Sequence, residues 1–324
     1  MSARQRRLLD SDLLPANLWN PVSQTLLLPP ALAKSYEMVI DLHGLRELAE
    51  SRDQKDSPIG GVGKNETDKH FAQAFAGSVA RAQLAITDPK NEVLRASNAF
   101  IQILGGNRVC IVDAPCGSGA ATFAFLSVIA ELRACEILPR QPLDVRLIGA
   151  EISESARGYA IEILDRLRSF FESQAIFVKE DFIAWDATDK LSNTDLIREM
   201  ILASSGINKC LLVVANFSGF LEKGGKTKAA QPQIEELFRH ASGRNSVAIW
   251  IEPKTNEVIN NSGFFPKIVK WVTDRFRSFC RINSDGDISK PYLLSECRFQ
   301  SPLNSKKIHC VRLAIMRLDL VRSS

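Results

Sequence analysis

The sequence lacks several features that would each indicate a particular class of protein. No apolar run reaches the ~18 residues that a transmembrane helix needs; the longest, residues 211–221, is interrupted by Asn216 and Ser218. Aromatic residues make up only 7% of the 324 residues, and 41 basic against 37 acidic side chains leave a net charge of +4. So small a positive charge permits an anionic partner but does not require nucleic acid.

Metal-binding and disulfide patterns are also missing from the sequence. The seven cysteines include no C-x-x-C pair, and the four histidines are scattered along the chain. An odd number of cysteines in a chain of this size, several of them inside apolar runs, predicts reduced and mostly buried thiols. We therefore expect a cytoplasmic protein with no metal site and no membrane-spanning segment.

Beyond residue 105 the hydrophobic pattern alternates between short strands and helices. Apolar strands are predicted at residues 109–112, 145–150, 175–178, 210–215 and 246–251. Helical periodicity separates these strands, whereas two later segments alternate in polarity with no helix between them, at residues 292–299 and 308–318. The pattern predicts an α/β fold with a doubly wound, mostly parallel sheet of seven strands that ends in an antiparallel pair.

The chain before the first strand is predicted to be helical. Residues 1–64 form an N-terminal extension, with a helical patch at 33–48 and a polar, glycine-rich loop at 50–64. Residues 65–324 form the main domain, in which 65–104 is a helical lid or cap on the core.

The turn after the first apolar strand is suited to binding a ligand. Residues 112–119 read VDAPCGSG, so that Asp113 ends the strand while Gly117 and Gly119 precede a helix. Glycine lets the backbone approach a ligand closely, and the first turn of a helix offers unpaired N–H groups. In a parallel sheet, ligands lie at this carboxyl end of the strands.

Three kinds of nucleotide-binding loop can be compared with this turn. A dinucleotide fingerprint needs a small third residue where Thr122 stands, and a P-loop needs a lysine, which the turn lacks. The lysine-bearing stretches at 60–65 and 219–227 have the wrong spacing or no strand before them. The third kind, an adenosylmethionine loop, has an acidic residue just before the glycines, and Asp113 fills that position.

Residues 105–320 resemble the class I S-adenosylmethionine-dependent methyltransferases. The resemblance rests on this turn and on three later segments that follow in the order expected for the family, at residues 146–151, 176–182 and 210–221. The resemblance implies a Rossmann-like fold and S-adenosylmethionine as cofactor. It also implies that the turn contributes five cofactor-binding residues: Asp113, Ala114, Pro115, Gly117 and Gly119. Pro115 is a departure, because many members of the family carry a glycine there.

The resemblance also implies cofactor contacts at the next two strand ends. Glu151, which ends RLIGAE and is followed by Ile152, would hold the ribose hydroxyls, since a carboxylate can accept two hydrogen bonds from a vicinal diol. Asp181, taken as the end of the third strand, would accept the adenine amino group, and the N–H of Phe182 would meet the ring. Glu180 and Asp186 are nearby alternatives to Asp181, and Glu151 could instead be a solvated charge at the strand end.

The fourth strand is followed by ANFS, where the resemblance places the methyl acceptor. Asn216 could be the catalytic residue by hydrogen-bonding the acceptor, with Phe217 stacked on it; alternatively Asn216 caps the turn and Phe217 lies in the core. His70, Glu252 and Asp186 are candidates for a general base. Lys223, Lys226 and Lys228 predict an exposed basic loop beside this cleft.

The resulting expectation is an enzyme that transfers a methyl group from S-adenosylmethionine to a small molecule, a protein or an RNA. ANFS lacks the [DN]-P-P-[YF] tetrad associated with exocyclic amine methylation, and no nucleic-acid module is recognisable, although nucleic acid remains possible. The alternative is a non-catalytic, methyltransferase-like subunit that acts with a protein partner in a complex. A dehydrogenase or an NTPase fits the motifs less well.

Overall fold

The chain has a mixed α/β fold in the computed structural model. The structure describes residues 6–51, 61–223, 225–243, 245–255, 259, 264–275, 280–282 and 292–320. Its strands are β1 (Trp19–Asn20), β2 (Thr25–Leu26), β3 (Asn107–Asp113), β4 (Leu143–Ala150), β5 (Ile176–Ile183), β6 (Cys210–Ala215), β7 (Ser246–Pro253), β8 (Cys280–Ile282), β9 (Leu293–Gln300) and β10 (Ile308–Leu320).

Helices fill most of the intervals between these strands. They are α1 (Pro30–Leu42), α2 (Arg46–Glu50), α3 (Lys64–Thr87), α4 (Leu94–Leu104), α5 (Ala120–Ala134), α6 (Glu154–Ser173), α7 (Lys190–Ala203), α8 (Ser218–Lys223), α9 (Thr227–Ala241) and α10 (Phe264–Arg275), with a short 3-10 helix at Ser11–Leu13.

The described strands form one sheet of ten strands, in the order β1-β2-β9-β10-β7-β6-β3-β4-β5, with β8 paired to β10. The five strands from β3 to β7 run parallel, and β10 is antiparallel to both β7 and β9. The strand count therefore exceeds the predicted seven. Strands β1, β2 and β8 have only two or three residues each, too few for a hydrophobic period to reveal them.

Two hydrophobic clusters cover the two faces of the sheet. Successive side chains of a strand point to opposite faces, so Val109 and Ile111 of β3 belong to one cluster, while Cys110 and Val112 belong to the other. The first cluster packs against helices α1 and α3 to α6, and the second packs against α7 to α10. The alternating strands and helices predicted from the sequence are therefore present, with one helical layer on each face.

Helix α3 crosses the carboxyl ends of the parallel strands. Tyr36 of α1 stacks on Phe75 at 4.9 Å between ring centroids, and its hydroxyl donates to the carbonyl of Ala72 at 2.7 Å. One turn earlier on the same face of α3, Phe71 stacks on Tyr159 of α6 at 4.3 Å. These contacts fix the position of α3, the first part of the predicted helical cap, over the sheet.

The N-terminal extension is joined to the same sheet and core. Strand β2 pairs in parallel with β9 and in an antiparallel manner with β1. The buried amide of Gln83 in α3 donates to the carbonyls of Leu18 and Leu27 at 3.0 and 2.8 Å, which holds this hairpin against the helix. Leu32 of α1 is fully buried in the first cluster.

Some predicted boundaries differ from the structure. Strand β5 continues two residues past Asp181, to Ile183. The stretch with Lys226 and Lys228, predicted to be a loop, lies mostly in α8 and α9. Of the predicted N-terminal loop, residues 52–60 lie outside the described residues.

The length and hydropathy of the described helices bear on whether any of them could cross a membrane. Across the part of the chain that the structure describes, none of them combines the length and the apolar character that a membrane crossing needs.

Replacing Leu32 with alanine tests whether the N-terminal extension belongs to the main core. We expect Leu32→Ala to lower the free energy of unfolding by about 2–5 kcal/mol, because it leaves a cavity under α1. Leu42→Ala is the matched control, because Leu42 lies at the end of the same helix and its surface is 64% exposed. Urea denaturation measures both. Equal stabilities for the two variants would show that α1 does not contribute to the core.

Candidate functional site

A cavity of about 350 Å³ lies between α3 and the carboxyl ends of β3, β4, β6 and β7. This edge is the switch point of the sheet, because the chain moves from β3 to β4 and β5 on one side and then returns to β6 on the other. Loops that leave β3 and β6 in opposite directions leave a crevice between them, and α3 covers it. The cavity thus lies where a parallel α/β sheet binds its ligands.

The glycine turn forms one wall of the cavity through Pro115, Cys116 and Gly117. The N–H of Cys116 donates to the carbonyl of Ala150 at 2.9 Å, which fixes the turn against the end of β4. Gly117 has a φ of +53°, and a Cβ at this residue would meet no protein atom within 4 Å. Its backbone is therefore open to a ligand in the cavity.

Gly119 and Asp113 support this turn from beneath and do not line the cavity. Gly119 has a φ of +80°, and a Cβ there would lie 2.2 Å from the ring of Phe123. The Asp113 carboxylate is buried; its Oδ2 accepts a hydrogen bond from the Thr122 hydroxyl at 2.7 Å, while its Oδ1 has no partner. Burial raises the pKa of Asp113 to about 7. Thr122, the residue that fits a dinucleotide fingerprint poorly, thus serves to hold Asp113.

Glu151 follows β4 directly and its carboxylate faces the cavity. Its Oε2 accepts a hydrogen bond from the N–H of Gly117 at 3.1 Å, and its Oε1 accepts one from the N–H of Ser153 at 2.9 Å. Burial raises the pKa of Glu151, and these backbone donors oppose the shift. Each oxygen keeps a second lone pair, so the carboxylate can still accept hydrogen bonds from a ligand. Ile152 lines the cavity beside it.

The chain after β5 reaches the cavity later than predicted. Asp181 is exposed within β5, the last strand of the described sheet, and neither it nor Phe182 lines the cavity. Phe182 lies instead over Gly149, where a Cβ would be 2.3 Å from its ring. Trp185 and Asp186 line the cavity beyond the strand end. The acidic side chain that faces the cavity from this strand is therefore Asp186.

The side-chain amide of Asn216 forms hydrogen bonds with α3. Its Oδ1 accepts a hydrogen bond from Arg81 Nη1 at 2.6 Å, and its Nδ2 donates to Ser78 Oγ at 3.1 Å. Arg81 Nε also donates to the carbonyl of Arg312 in β10 at 3.2 Å. Asn216 lines the cavity, but both ends of its amide already bond to α3. This geometry favours a structural tie between β6 and α3 over a contact with an acceptor.

Glu252, at the end of β7, holds the turn that follows Asn216. Its Oε1 accepts from the N–H groups of Phe217 and Ser218, at 3.0 and 2.9 Å, and from the indole of Trp250 at 2.8 Å. Its Oε2 accepts from the Ser218 hydroxyl at 2.8 Å. Burial raises the pKa of Glu252, and these donors oppose the shift. With four donors around it, this carboxylate is suited to support and not to proton transfer.

Aromatic side chains form the wall of the cavity at the end of β6. Phe217 is buried and stacks on Phe220 at 5.8 Å with an interplanar angle of 14°, and Trp185 lies 6.1 Å from Phe217. Lys226 Nζ lies 4.2 Å from the centroid of the Phe220 ring. His70 of α3 faces the same cavity, and burial lowers its pKa to about 4, so its imidazole is neutral at pH 7.

Six of the residues selected as cofactor or acceptor contacts line the cavity, namely Pro115, Gly117, Glu151, Ile152, Asn216 and Phe217. The three general-base candidates, His70, Asp186 and Glu252, line it as well. Five others lie outside its lining: Asp113, Ala114, Gly119, Asp181 and Phe182. Sequence reasoning missed Ser78, Arg81 and Trp185. No local signal marks Ser78 or Arg81, whose partner Asn216 lies more than a hundred residues away along the chain.

Neither a metal cluster nor a known relative assists the interpretation of the cavity. Among the described residues, no group of three His, Cys, Asp or Glu side chains could hold a metal ion. No protein-family model matches the chain, and comparison with curated proteins gives no significant match. The chemistry of the cavity must be inferred from its own residues.

The buried carboxylate of Asp113 predicts a specific pH dependence of stability. Its pKa of about 7 in the folded chain exceeds the ordinary 3.8 of an unfolded one. Between pH 8 and pH 5 the folded chain binds a proton that the unfolded chain does not, so the unfolding free energy rises as the pH falls, by about 2–3 kcal/mol.

Asp113→Asn removes this contribution, so the wild type should gain stability relative to the variant between pH 8 and pH 5. Urea denaturation of both proteins at the two pH values measures the difference, and groups that titrate in both proteins cancel. A stability difference that does not change with pH would contradict the burial of a titrating carboxylate.

Proposed function

We propose that the protein is a methyltransferase that binds S-adenosylmethionine in the cavity at the switch point. One observation carries the proposal: the carboxylate of Glu151 faces the cavity at the end of β4, hydrogen-bonded to the open backbone of Gly117. A vicinal diol placed there finds two acceptor oxygens beside a turn that a ligand can approach closely.

The topology of the sheet supports the proposal. Without the short strands β1, β2 and β8, seven strands remain in the order β9-β10-β7-β6-β3-β4-β5, with a helical layer on each face. A mostly parallel sheet with this strand order and an antiparallel end pair is compatible with the doubly wound form that the resemblance to class I methyltransferases implies, and in this way it supports the proposal. The proposal therefore rests on both the chain order and the site.

The charges around the cavity favour a cationic ligand over a polyphosphate. Four carboxyl side chains line it, from Glu151, Asp186, Glu222 and Glu252, whereas Arg81 is the one Lys or Arg among the described lining residues. Nucleotide phosphates are normally bound by lysine, arginine and a helix N-terminus. A sulfonium with an attached ammonium group suits acidic surroundings, so adenosylmethionine fits better than NAD or ATP.

The residues around Glu151 suggest how the adenosyl group is held. Glu151 would accept hydrogen bonds from the ribose hydroxyls, and Asp186 would accept one from the adenine amino group. Ile152 and Trp185 supply apolar surface between these two carboxylates. We assign the adenine contact to Asp186 in place of Asp181, because Asp186 lines the cavity and Asp181 is exposed on β5.

When bound, S-adenosylmethionine supplies an activated methyl group, and the protein must orient the acceptor and exclude water. Glu252 and the Asn216–Arg81 pair fix the turn after β6 and tie it to α3. Phe217 and Phe220 provide an apolar surface along the cavity wall. These residues support methyl transfer by holding the end of β6 rigid beneath α3.

Glu151→Gln tests the ribose contact. The substitution keeps the shape of the side chain but replaces one acceptor oxygen by a donor, so we expect S-adenosylhomocysteine to bind about 10- to 100-fold more weakly. Isothermal titration calorimetry measures the affinity. Glu154→Gln, on an exposed carboxylate three residues further on, is the control and should bind as the wild type does. Unchanged affinity in Glu151→Gln would refute the assignment.

A second pair of variants separates the two candidates for the adenine contact. Asp186 Oδ1 already accepts hydrogen bonds from the N–H and the hydroxyl of Thr188, at 2.8 and 2.7 Å. In Asp186→Asn the amide oxygen keeps these bonds and the amide nitrogen, which cannot accept, replaces Oδ2, so the binding of S-adenosylhomocysteine should weaken about tenfold. Asp181→Asn should leave it unchanged. The same calorimetric titration decides between them, and the reverse result would restore the sequence-based choice of Asp181.

A further inference from the structure

Helix α3, the roof of the cavity, is hydrogen-bonded at two places, beyond the end of β4 and beyond the end of β6. Thr67 forms a hydroxyl–hydroxyl hydrogen bond with Ser153, beyond β4, at 2.7 Å, whereas Ser78 accepts one from Asn216, beyond β6. Eleven residues of helix, about 16 Å, separate these two contacts. The cavity therefore extends from the Glu151 side to a second part under the later turns of α3, lined by Gly77, Phe217, Gly219 and Phe220; we call this part the β6 compartment.

Two glycines of the β6 compartment leave open space that the fold itself does not require. Gly77 lies in the middle of α3 and Gly219 lies in the first turn of α8. A Cβ at either position would meet no atom of the described residues within 4 Å, and neither residue has a positive φ. Glycine is an unfavourable residue inside a helix. The bare backbones of the two helices thus face open space without a packing or conformational reason.

Charged side chains near the β6 compartment are already engaged. Glu252 accepts the four hydrogen bonds described above, and Arg81 donates to Asn216 and to a carbonyl of β10. Lys226 lies over the ring of Phe220, and exposed Glu222 lies 3.9 Å from Lys267. Among the described residues these charges are already paired, so a charged ligand group buried here would lose its hydration without gaining an unpaired counterion, which is costly.

His70 offers the polar group that a neutral ligand could use. It precedes Gly77 by seven residues, two helical turns or about 10 Å, and so lies on the same face of α3. It lines the cavity and forms no hydrogen bond or ion pair with any described residue. A neutral imidazole has one N–H donor and one nitrogen acceptor. It can therefore bind a hydroxyl or a ring N–H at one end of a flat molecule.

We propose that the β6 compartment binds the methyl acceptor, and that this acceptor is an uncharged planar ring molecule with one hydroxyl or ring N–H group. The ring lies against Phe217 and Phe220 in the space left by Gly77 and Gly219, and His70 orients its polar group. This inference rests on the proposed function for its description of the ligand as an acceptor.

The reaction balances with this class of acceptor. A lone pair of the acceptor oxygen or nitrogen forms the bond to the methyl carbon, the carbon–sulfur bond breaks with its electron pair kept by sulfur, and the acceptor proton leaves to water. His70 contacts the methyl acceptor directly: its unprotonated ring nitrogen accepts a hydrogen bond from the hydroxyl or ring N–H and orients this group. His70 does not have to retain the proton that the methyl acceptor loses.

Binding of three probes that share one planar ring tests the charge of the ligand. 2-Naphthol, 2-naphthoate and 2-naphthylmethylammonium are titrated into the protein saturated with S-adenosylhomocysteine, and fluorescence reports their binding. We expect 2-naphthol to bind at least about tenfold more tightly than either charged probe. No binding of 2-naphthol, or equal or tighter binding of a charged probe, would overturn the proposal.

Gly77→Leu tests the space under α3. The added side chain should weaken 2-naphthol binding by at least about tenfold and leave the affinity for S-adenosylhomocysteine within about twofold. Gly158→Leu is the matched control, because Gly158 is also inside a helix with open space at its Cβ but does not line the cavity. Unchanged 2-naphthol binding in Gly77→Leu would contradict the assignment.

His70→Phe tests the polar contact with a measurement that loss of shape would not change. The wild type should prefer 2-naphthol to naphthalene, and the variant should lose most of this preference while it still binds naphthalene; a retained preference would exclude His70 as the partner. If S-adenosylhomocysteine does not bind, the proposed function fails. The same probes titrated without it then show separately whether the β6 compartment takes a neutral ring.

Discussion

The candidate site depends on the hydrogen bonds that hold α3 across the carboxyl ends of the sheet. Thr67 meets Ser153 beyond β4, while Ser78 and Arg81 hold Asn216 beyond β6. A helix pinned at two strand ends on opposite sides of the switch point turns an open crevice into a covered cavity. Its aromatic contacts with Tyr36 and Tyr159 link this roof to α1 and α6. The N-terminal extension thereby supports the site, to whose lining it contributes Gly61.

Three carboxylates at or beneath the cavity wall have different roles. Asp113 lies under the glycine turn and Glu252 lies under the turn after β6, and in both cases the carboxylate oxygens that bond do so to the protein itself. Glu151 also bonds to backbone N–H groups, yet it faces the cavity and keeps acceptor capacity. This difference in surroundings distinguishes an acidic group that can bind a ligand from two that shape the loops around it. The excess of acidic over basic side chains in the lining follows from the same arrangement and favours a cationic cofactor.

The sequence predicted those parts of the fold and site that depend on local pattern. The alternation of apolar strands and helices from β3 onwards, the glycine turn and the position of Glu151 are all expressed within short segments. Long-range pairing could not be predicted: two residues of β2 join the sheet only through β9, far along the chain. The hydrogen bonds of Asn216 with α3 could not be predicted either, because they join residues that lie far apart along the chain. The resemblance implies Asp181 because it takes this residue as the end of the third strand, whereas the hydrogen-bonded strand continues along the sheet edge to Ile183.

The most direct test of the account is a crystal structure of the protein with S-adenosylhomocysteine. The account predicts the ribose hydroxyls within hydrogen-bond distance of the Glu151 carboxylate and the adenine amino group beside Asp186. The sulfur should point towards the space between Gly77 and Phe217. A ligand found outside the cavity under α3, or one whose ribose does not contact Glu151, would contradict the central claim.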